Sequence, residues 1–168
     1  YSAAYAIAAA CQRLTLSQTA GVGSIGVIAL HVDQSVRDAK DGLHYTAVFA
    51  GNHKNDFSPH EPLTPQASTA LQAEVDRLYA IFATQVAAMR GLDVDAVRAT
   101  EAGVFYGEQA VTEGLADAVL PLEQVLAEFA EHLAAQRQTL TPLPRASPAK
   151  PRQRLTPSTP LSNKEQSM

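Results

Sequence analysis

Residues 21–32, GVGSIGVIALHV, decide the predicted fold of this chain. Glycines punctuate its first half, and the run 25–32 has the apolar character of a strand buried on both faces of a sheet. Residues 36–40 then predict a short helix that ends near Gly42. HYTAVFA at 44–50 has the β-branched and aromatic bias of another strand. Strand, helix and strand at this spacing predict a parallel βαβ unit with a right-handed crossover, and therefore an α/β fold.

The chain on the amino-terminal side of this unit predicts one helix and one strand. Residues 2–12 are rich in alanine and predict a mostly buried helix. Residues 14–18 alternate as a short strand does. The chain opens YSAAYA without an initiator methionine, inside the predicted helix, and we therefore expect it to be the carboxyl-terminal half of a longer protein.

A loop and a long helix follow the βαβ unit. Residues 51–65 are polar and hold three prolines, which is typical of a loop. Thr64 can cap the next helix, because Pro65 then takes the first helical position, where its missing N–H costs nothing. The apolar side chains from Leu71 to Met89 share one helix face, and Gly91 ends the helix.

The rest of the predicted domain alternates between short elements. Asp93 can cap a short helix, and 107–114 predicts another, closed by a glycine. Residues 115–120 predict a last strand, and 122–136 predict an amphipathic terminal helix.

The last thirty residues differ in composition from the rest. Residues 139–168 hold six of the ten prolines among Ser, Thr, Gln and Arg. A segment with so few large apolar residues cannot offset its ordering entropy, so we expect a disordered tail after a domain at 1–138. The tail carries a net charge of about +4 and the domain about −8. The acidic domain argues against a nucleic-acid surface, since binding there rests on phosphate neutralisation.

Several further classes of site are disfavoured. The single cysteine, Cys11, excludes an internal disulfide and a multi-cysteine zinc site, and its apolar surroundings predict a buried residue. His44, His60 and Glu61 lack the spacing of a zinc helix, and GVGSIG fits no phosphate-binding motif. We therefore predict no metal and no cofactor. No run reaches the roughly 18–20 apolar residues of a membrane span.

Two residues have alternative interpretations. Ser2 stands at a predicted helix start, where a serine usually caps the helix, but a hydroxyl there can also act as a nucleophile. Lys54 lies in a polar loop, where a lysine is usually a solvated charge, but a lysine whose pKa is lowered by burial can serve as the general base for a serine. The residues alone leave both alternatives open.

Three segments together resemble one family. SAAYAIAAA at 2–10, GSIGV at 23–27 and AGNHKNDFSP at 50–59 resemble the signal peptide peptidase A family of serine peptidases, and within it the phage prohead (capsid maturation) proteases. EAGVFYGEQAVTEGLADAV at 101–119 resembles a further family segment. Ser2 and Lys54 are 52 positions apart, as are the nucleophile and lysine of the family. The resemblance covers about residues 1–120.

This resemblance implies a ClpP/crotonase-like α/β fold and a Ser–Lys dyad. Ser2 matches the nucleophile, Lys54 the general base, and Ser24 the serine that orients the lysine, although a turn residue is the alternative for Ser24. The N–H of Ala3 would donate to the oxyanion. Gly26 is interpreted as a packing residue. The family's upstream strand and Gly-rich turn, which supply a second oxyanion donor, have no counterpart in this sequence. That loss would forfeit about 3–4 kcal/mol of transition-state stabilisation, so we expect poor activity.

The implied function is metal-free proteolysis in capsid maturation. The resemblance implies protein substrates, with phage scaffold and portal-region proteins as the candidates. It also implies a homo-oligomer and action in the bacterial cytoplasm or the prohead. The first alternative is a catalytically idle remnant or a scaffold-interacting assembly protein. The second is an acyl-CoA enzyme of the same fold, which would need a pocket glutamate in place of Lys54.

Overall fold

The structure, a computed structural model, describes residues 1–139, and side chains as far as residue 137. The predicted disordered tail lies outside the described residues from 140 onward. The elements follow one another as α1 (Ala3–Ala8), β1 (Thr15–Leu16), β2 (Gly21–Gly23), α2 (Ser35–Lys40), α3 (Pro65–Arg90), α4 (Val94–Ala99), β3 (Val104–Tyr106), α5 (Gly107–Thr112), β4 (Ala118–Val119) and α6 (Leu122–Thr139).

Two small sheets organise the described residues. β1 pairs with β4 in parallel, with Thr15 opposite Ala118. β2 pairs with β3 antiparallel, with Val22 opposite Phe105. The mixed α/β character predicted from the sequence is therefore present, although each described sheet has two strands.

The core lies between these sheets, α1, α4, α5 and the second half of α3. Its largest fully buried side chains are those of Tyr5, Ile25, Val86, Val97 and Leu115. The region 26–60 lies largely outside the core, since most of its residues are exposed.

The prediction of a βαβ unit is wrong for both of its strands. Neither 25–32 nor 44–50 forms a strand, whereas the short helix between them, α2, is confirmed. A strand requires a neighbour that pairs its backbone N–H and C=O groups, and none among the described residues pairs with either segment. Their apolar side chains are consequently exposed, as with Ile28 and Val48 at 88% and 94%.

The helix ends follow the local signals in the sequence. The Thr64 hydroxyl accepts a hydrogen bond from the Ala67 N–H and Pro65 opens α3, as predicted. Gly91 ends α3 in the left-handed conformation at φ 66°, which glycine adopts without strain. Asp93 caps α4 by accepting from the Asp95 N–H.

The predicted helix at 2–12 is shorter and more exposed than expected. α1 ends at Ala8, and Tyr5 is its one buried residue. Cys11 lies beyond the end of α1 and is exposed, so its prediction as a buried residue is wrong. The chain turns after Ala9, which directs Cys11 away from the core.

A polar network ties α3 to β4 and to the chain before β1. The Arg90 guanidinium, whose side chain is 7% exposed, makes two hydrogen bonds to the Asp117 carboxylate and a third to the Gly114 carbonyl. The same carboxylate accepts a hydrogen bond from the Leu14 N–H. The hydrogen bond from Arg90 holds the pKa of Asp117 below its usual range. This network fixes the end of the long helix against the parallel sheet.

Candidate active site

Ser2 lies at a strained turn at the start of α1. Its φ of 53° and ψ of −131° fall in a region that non-glycine residues rarely adopt. Its N–H donates to the Gly23 carbonyl at 2.9 Å, and its carbonyl accepts from the N–H groups of Tyr5 and Ala6. Ser2 occupies the capping position, but its hydroxyl makes no capping hydrogen bond. A serine on a strained turn that opens a helix is the arrangement that presents a nucleophile in other hydrolases.

Ser24 lies next to this turn. It follows Gly23, the residue that hydrogen-bonds to Ser2, and its own φ is 53°. Its N–H donates to the Gly103 carbonyl at 2.7 Å. Gly23 itself requires glycine, because an added Cβ would lie 2.5 Å from that carbonyl oxygen. The structure therefore brings Ser2 and Ser24 into one neighbourhood through the end of β2.

An open apolar groove begins at Ser2. We call it the Ser2 groove; its volume is about 440 Å³, and α1, the segment after Ser24 and the middle of α3 line it. The lining residues are Ser2, Ala3, Ala6, Gly26, Val27, Ile28, Leu78, Ile81, Phe82 and Gln85. Such a groove can hold an extended peptide with one apolar side chain buried beside the hydroxyl.

Gly26 allows the groove to form by close packing. A Cβ at this position would lie 2.8 Å from the Cβ of Ala102, so a larger residue would push the two segments apart. This contact confirms the prediction that Gly26 serves packing. Ala102, on the other side of the contact, has a φ of 56°.

Ala3 offers a backbone donor beside the Ser2 hydroxyl. It is the first residue of α1, so its N–H has no partner within the helix. Within residues 1–139, no recorded hydrogen bond uses this N–H. The group is therefore available to a negative oxygen that forms next to Ser2.

Tyr1 and Tyr5 hold the chain in place on either side of Ser2. The rings of Tyr1 and Tyr106 meet edge to face, with centroids 6.2 Å apart, and both pack over Gly21. The hydrogen bond between their hydroxyls raises the pKa of Tyr1. On the other side, the buried Tyr5 hydroxyl donates to the Leu115 carbonyl at 2.8 Å, and burial raises the pKa of Tyr5 to about 12.

Lys54 is not among the residues that line the Ser2 groove. It is exposed in a series of turns over 51–57, where its N–H donates to the Gly51 carbonyl. In the part of the chain whose side chains are described, no hydrogen bond or ion pair joins its ammonium group to Ser2 or Ser24. The role of Lys54 as the general base therefore stays a prediction.

Local contacts organise the loop that carries Lys54 and the residues that follow it. His53 and Asp56 pair at 2.8 Å within the loop. Beyond it, His60 bonds Asp38 of α2 at 2.9 Å and stacks on Tyr45 at 3.6 Å between centroids. The hydrogen bond from His60 to Asp38 ties the residues after the loop to α2.

The wall that α3 contributes to the Ser2 groove was not predicted from the sequence. Leu78 and Phe82 belong to the apolar face predicted for α3, and Leu78 is 39% exposed and lines the groove. Ile81 extends the apolar stripe to one side, and the polar Gln85, one turn further along, also borders the groove. This wider apolar face of α3 was the feature of the sequence that could have indicated a second contact surface.

Comparisons with known proteins place the chain in a family. The family model of Peptidase family S49 matches residues 1–136. The head-tail preconnector protein GP5 of Enterobacteria phage P21 is 37% identical over 132 residues, which are 79% of this chain and 26% of that protein. The capsid assembly protease C of Escherichia phage lambda is 34% identical over 140 residues, which are 83% of this chain and 32% of that protein.

A bacterial relative supports the same assignment. A protein of Enterococcus faecium named for signal peptide peptidase SppA is 30% identical over 119 residues, which are 70% of this chain and 35% of that protein. The chain belongs to peptidase family S49, a class of serine-type peptidases, and the resemblance to phage prohead proteases is confirmed. The chain spans about a quarter to a third of the length of these relatives.

The described residues contain neither a membrane-spanning helix nor a cluster of metal-ligating side chains. None of the helices at 1–139 is long and apolar enough to cross a membrane. No group of three or more metal-ligating side chains occurs together in the same part of the chain.

Proposed function

We propose that this chain acts in peptide-bond hydrolysis as a serine endopeptidase, with Ser2 as the nucleophile and Lys54 as the general base. The strained turn at Ser2 carries the proposal, because its hydroxyl is not used as a cap and borders the Ser2 groove. Membership of peptidase family S49 supports it. We also propose that the described core is part of a ClpP/crotonase-like fold, which the parallel pairing of β1 with β4 supports.

The chemistry is acyl transfer without a metal. The Ser2 oxygen attacks the scissile carbonyl carbon, and the Lys54 amine takes the hydroxyl proton. The Ala3 N–H stabilises the oxyanion of the tetrahedral intermediate. The proton passes to the leaving amine as the C–N bond breaks, and water then hydrolyses the acyl-enzyme. Ser24 accepts or donates a hydrogen bond that orients Lys54.

This mechanism requires Lys54 to leave its exposed position. A lysine is a base near neutral pH only when desolvation lowers its pKa, and Lys54 is exposed in the described arrangement. The proposal therefore includes movement of the 51–57 turns toward Ser24, which would bring the amine out of water beside the Ser2 hydroxyl.

The proposed substrates are proteins of phage capsid assembly. The printed names of the two phage relatives refer to the head-tail preconnector and to capsid assembly. We propose that this chain cleaves scaffold or portal-region proteins as part of a homo-oligomer, in the host cytoplasm or the prohead. The apolar Ser2 groove favours an apolar side chain next to the cleaved bond.

One observation favours a second candidate function. Lys54 is exposed and, within the described residues, has no recorded hydrogen bond or ion pair with Ser2 or Ser24. A catalytically idle protein that binds assembly partners would have the same arrangement.

Labelling with a fluorophosphonate probe separates the two candidates. This small reagent modifies serines that are activated as nucleophiles, so we expect labelling at Ser2 by mass spectrometry and none in Ser2→Ala. Lys54→Met should slow labelling at least about a hundredfold, as loss of a general base does. Lys40→Met, which removes an exposed lysine of α2, is the matched control and should label at the normal rate. A folded chain that is unlabelled at Ser2, or one that is labelled equally fast in Lys54→Met, would contradict the dyad.

A further inference from the structure

A cluster of three side chains holds His60 against α2. The His60 ring donates through Nδ1 to the Asp38 carboxylate at 2.9 Å, and it stacks on the Tyr45 ring with 3.6 Å between centroids. The side chains of His60 and Asp38 are only 27% and 13% exposed, so water screens their hydrogen bond little. We call His60, Asp38 and Tyr45 the His60 anchor.

Two more hydrogen bonds hold the backbone just before His60. The Gln34 N–H donates to the Pro59 carbonyl at 2.8 Å. The His31 ring donates through Nε2 to the Ser58 carbonyl at 3.0 Å. Three consecutive residues are therefore each bonded to the chain in α2 or just before it.

The turns that carry Lys54 have only local hydrogen bonds. Among the residues whose side chains are described, every recorded hydrogen bond of 51–57 joins residues three positions apart, as the Lys54 N–H does with the Gly51 carbonyl. Lys54 thus stands four residues before Ser58, the first residue of the held stretch. The position of Lys54 depends on where that stretch is fixed.

We propose that His60 is a positioning residue for Lys54, an inference that rests on the proposed function. With Ser58 fixed, Lys54 can move only as far as four residues of chain reach, about 14 Å. Without the His60 anchor, the free stretch after Lys54 would run ten residues, to Thr64 at the start of α3. Each doubling of a free loop makes a given contact about threefold less probable, so the Lys54 amine would meet the Ser2 hydroxyl less often.

The His60 anchor is separate from the other parts of the candidate site. None of its three residues lines the Ser2 groove, and none belongs to the buried core. A substitution at His60 therefore leaves the nucleophile, the groove and the core unchanged. Its effect on the reaction should pass through Lys54 alone.

Fluorophosphonate labelling of Ser2 in two backgrounds tests this role. We expect His60→Ala to slow labelling at least about threefold in the wild-type chain, and less than about 1.5-fold in the Lys54→Met chain. A substitution that merely disturbed the fold would slow labelling in both. His44→Ala is the matched control and should label at the normal rate, because His44 is exposed and makes no recorded hydrogen bond, ion pair or ring contact within the described residues.

The partner of His60 provides a second comparison. Asp38→Ala removes the carboxylate that accepts from His60, so it should slow labelling about as much as His60→Ala does, and the double variant should be no slower than either. Asp38→Asn keeps an oxygen that can accept the same hydrogen bond, so it should restore most of the rate. Additive losses in the double variant would show that the two residues act separately, which contradicts the His60 anchor.

The labelling results separate failure of this inference from failure of the proposed function. If Lys54→Met is slow but His60→Ala labels at the normal rate, or if His60→Ala slows both backgrounds equally, the positioning role is overturned and the dyad stands. If Lys54→Met itself labels at the normal rate, the dyad fails, and the positioning role of His60 fails with it.

Trypsin measures the His60 anchor without any peptidase activity of this chain. Trypsin cuts after lysine, and Lys54 lies in exposed turns. His60→Ala should speed cleavage after Lys54 at least about threefold, because release of 58–60 lets the turns open into the protease, whereas His44→Ala should not. Mass spectrometry of the peptide that ends at Lys54 gives the rate. An unchanged rate in His60→Ala would show that 58–60 stays fixed without His60, and would overturn the inference.

Discussion

The backbone conformation of Ser2 is strained, and packing of the hydrophobic core does not require that conformation. A non-glycine residue in such a conformation costs about 1–3 kcal/mol, and the structure maintains it through the hydrogen bond from the Ser2 N–H to Gly23. Strain of this kind concentrates at functional sites, where it directs a side chain outward. The neighbouring positive φ of Ser24 extends the strained region to the second predicted site residue.

The strain at Ser2 predicts an unusual response to glycine. We expect Ser2→Gly to be about 1 kcal/mol more stable than Ser2→Ala, because glycine adopts this backbone conformation freely. Ser68, an exposed residue of α3, is the matched control, and there the glycine variant should be about 1 kcal/mol less stable than the alanine variant. Urea unfolding measures both differences. The same sign at the two positions would show that Ser2 is not strained in solution.

Tyr5 predicts a second effect at the residue scale. Tyr5→Phe removes the buried hydrogen bond to the Leu115 carbonyl and leaves that oxygen unsatisfied, so the free energy of unfolding should fall by about 1–2 kcal/mol. Tyr79→Phe is the matched control, because no hydrogen bond of the Tyr79 hydroxyl is recorded among the described residues. Its unfolding free energy should change by less than about 0.5 kcal/mol. Equal losses in both variants would contradict the role of the hydrogen bond.

The pKa of Tyr5 adds a pH dependence with a definite sign. Burial raises this pKa to about 12, whereas an unfolded tyrosine titrates near 10. The contribution of Tyr5 to the free energy of unfolding is fully present below pH 10. It is lost as the pH rises toward 12, because the tyrosine of the unfolded chain ionises first. The stability of the wild-type chain should therefore fall toward that of Tyr5→Phe over this interval. A constant difference between the two chains would contradict the raised pKa.

At the scale of the elements, capping residues determine where α3 begins. Thr64→Ala removes the hydroxyl that accepts from the Ala67 N–H, and should cost about 1 kcal/mol of stability. Thr69→Ala removes a hydroxyl that bonds the Pro65 carbonyl inside the helix, where alanine is the better helix former, and should cost nothing. Thermal unfolding compares the two. A cost for Thr69→Ala as large as that for Thr64→Ala would exclude capping as the cause.

The helix ends were predicted from the sequence more successfully than the strands. The starts of α3 and α4 and the end of α3 were predicted correctly, because a cap depends on residues within one helical turn. The strands at 25–32 and 44–50 were not, because their apolar composition describes burial and says nothing of a pairing partner. The described residues place no strand beside either segment.

At the scale of the whole molecule, the bond between Arg90 and Asp117 joins segments that are distant in sequence. Asp117→Asn should lower the free energy of unfolding by about 3 kcal/mol, because it leaves the largely buried Arg90 guanidinium without its counter-charge. Glu74→Gln breaks a similar pair with Arg77 on the exposed face of α3, and should cost less than about 0.5 kcal/mol. Chemical denaturation measures both. Similar costs would mean that Arg90 remains solvated.

The Ser2 groove also belongs to the scale of the whole molecule, because three separate segments of the chain form it. Ala6→Trp should fill the groove and lower kcat/KM for peptides at least about tenfold, while a small fluorophosphonate still labels Ser2. Ala4→Trp places the same side chain at an exposed position of α1 outside the groove, and should leave peptide cleavage unchanged. Loss of labelling in Ala6→Trp alongside cleavage would mean that the helix itself was disturbed.

The sequence by itself determined the local features of this protein and its family. Helix caps, the amphipathic α6 and the motifs around Ser2, Ser24 and Lys54 all depend on short stretches of chain. The tertiary structure alone decided which of these residues meet: it places Ser2 beside Ser24 through Gly23, opens a groove against α3, and leaves Lys54 exposed. The physical reason is that backbone strain, strand pairing and desolvation depend on partners far along the chain, which no local pattern specifies.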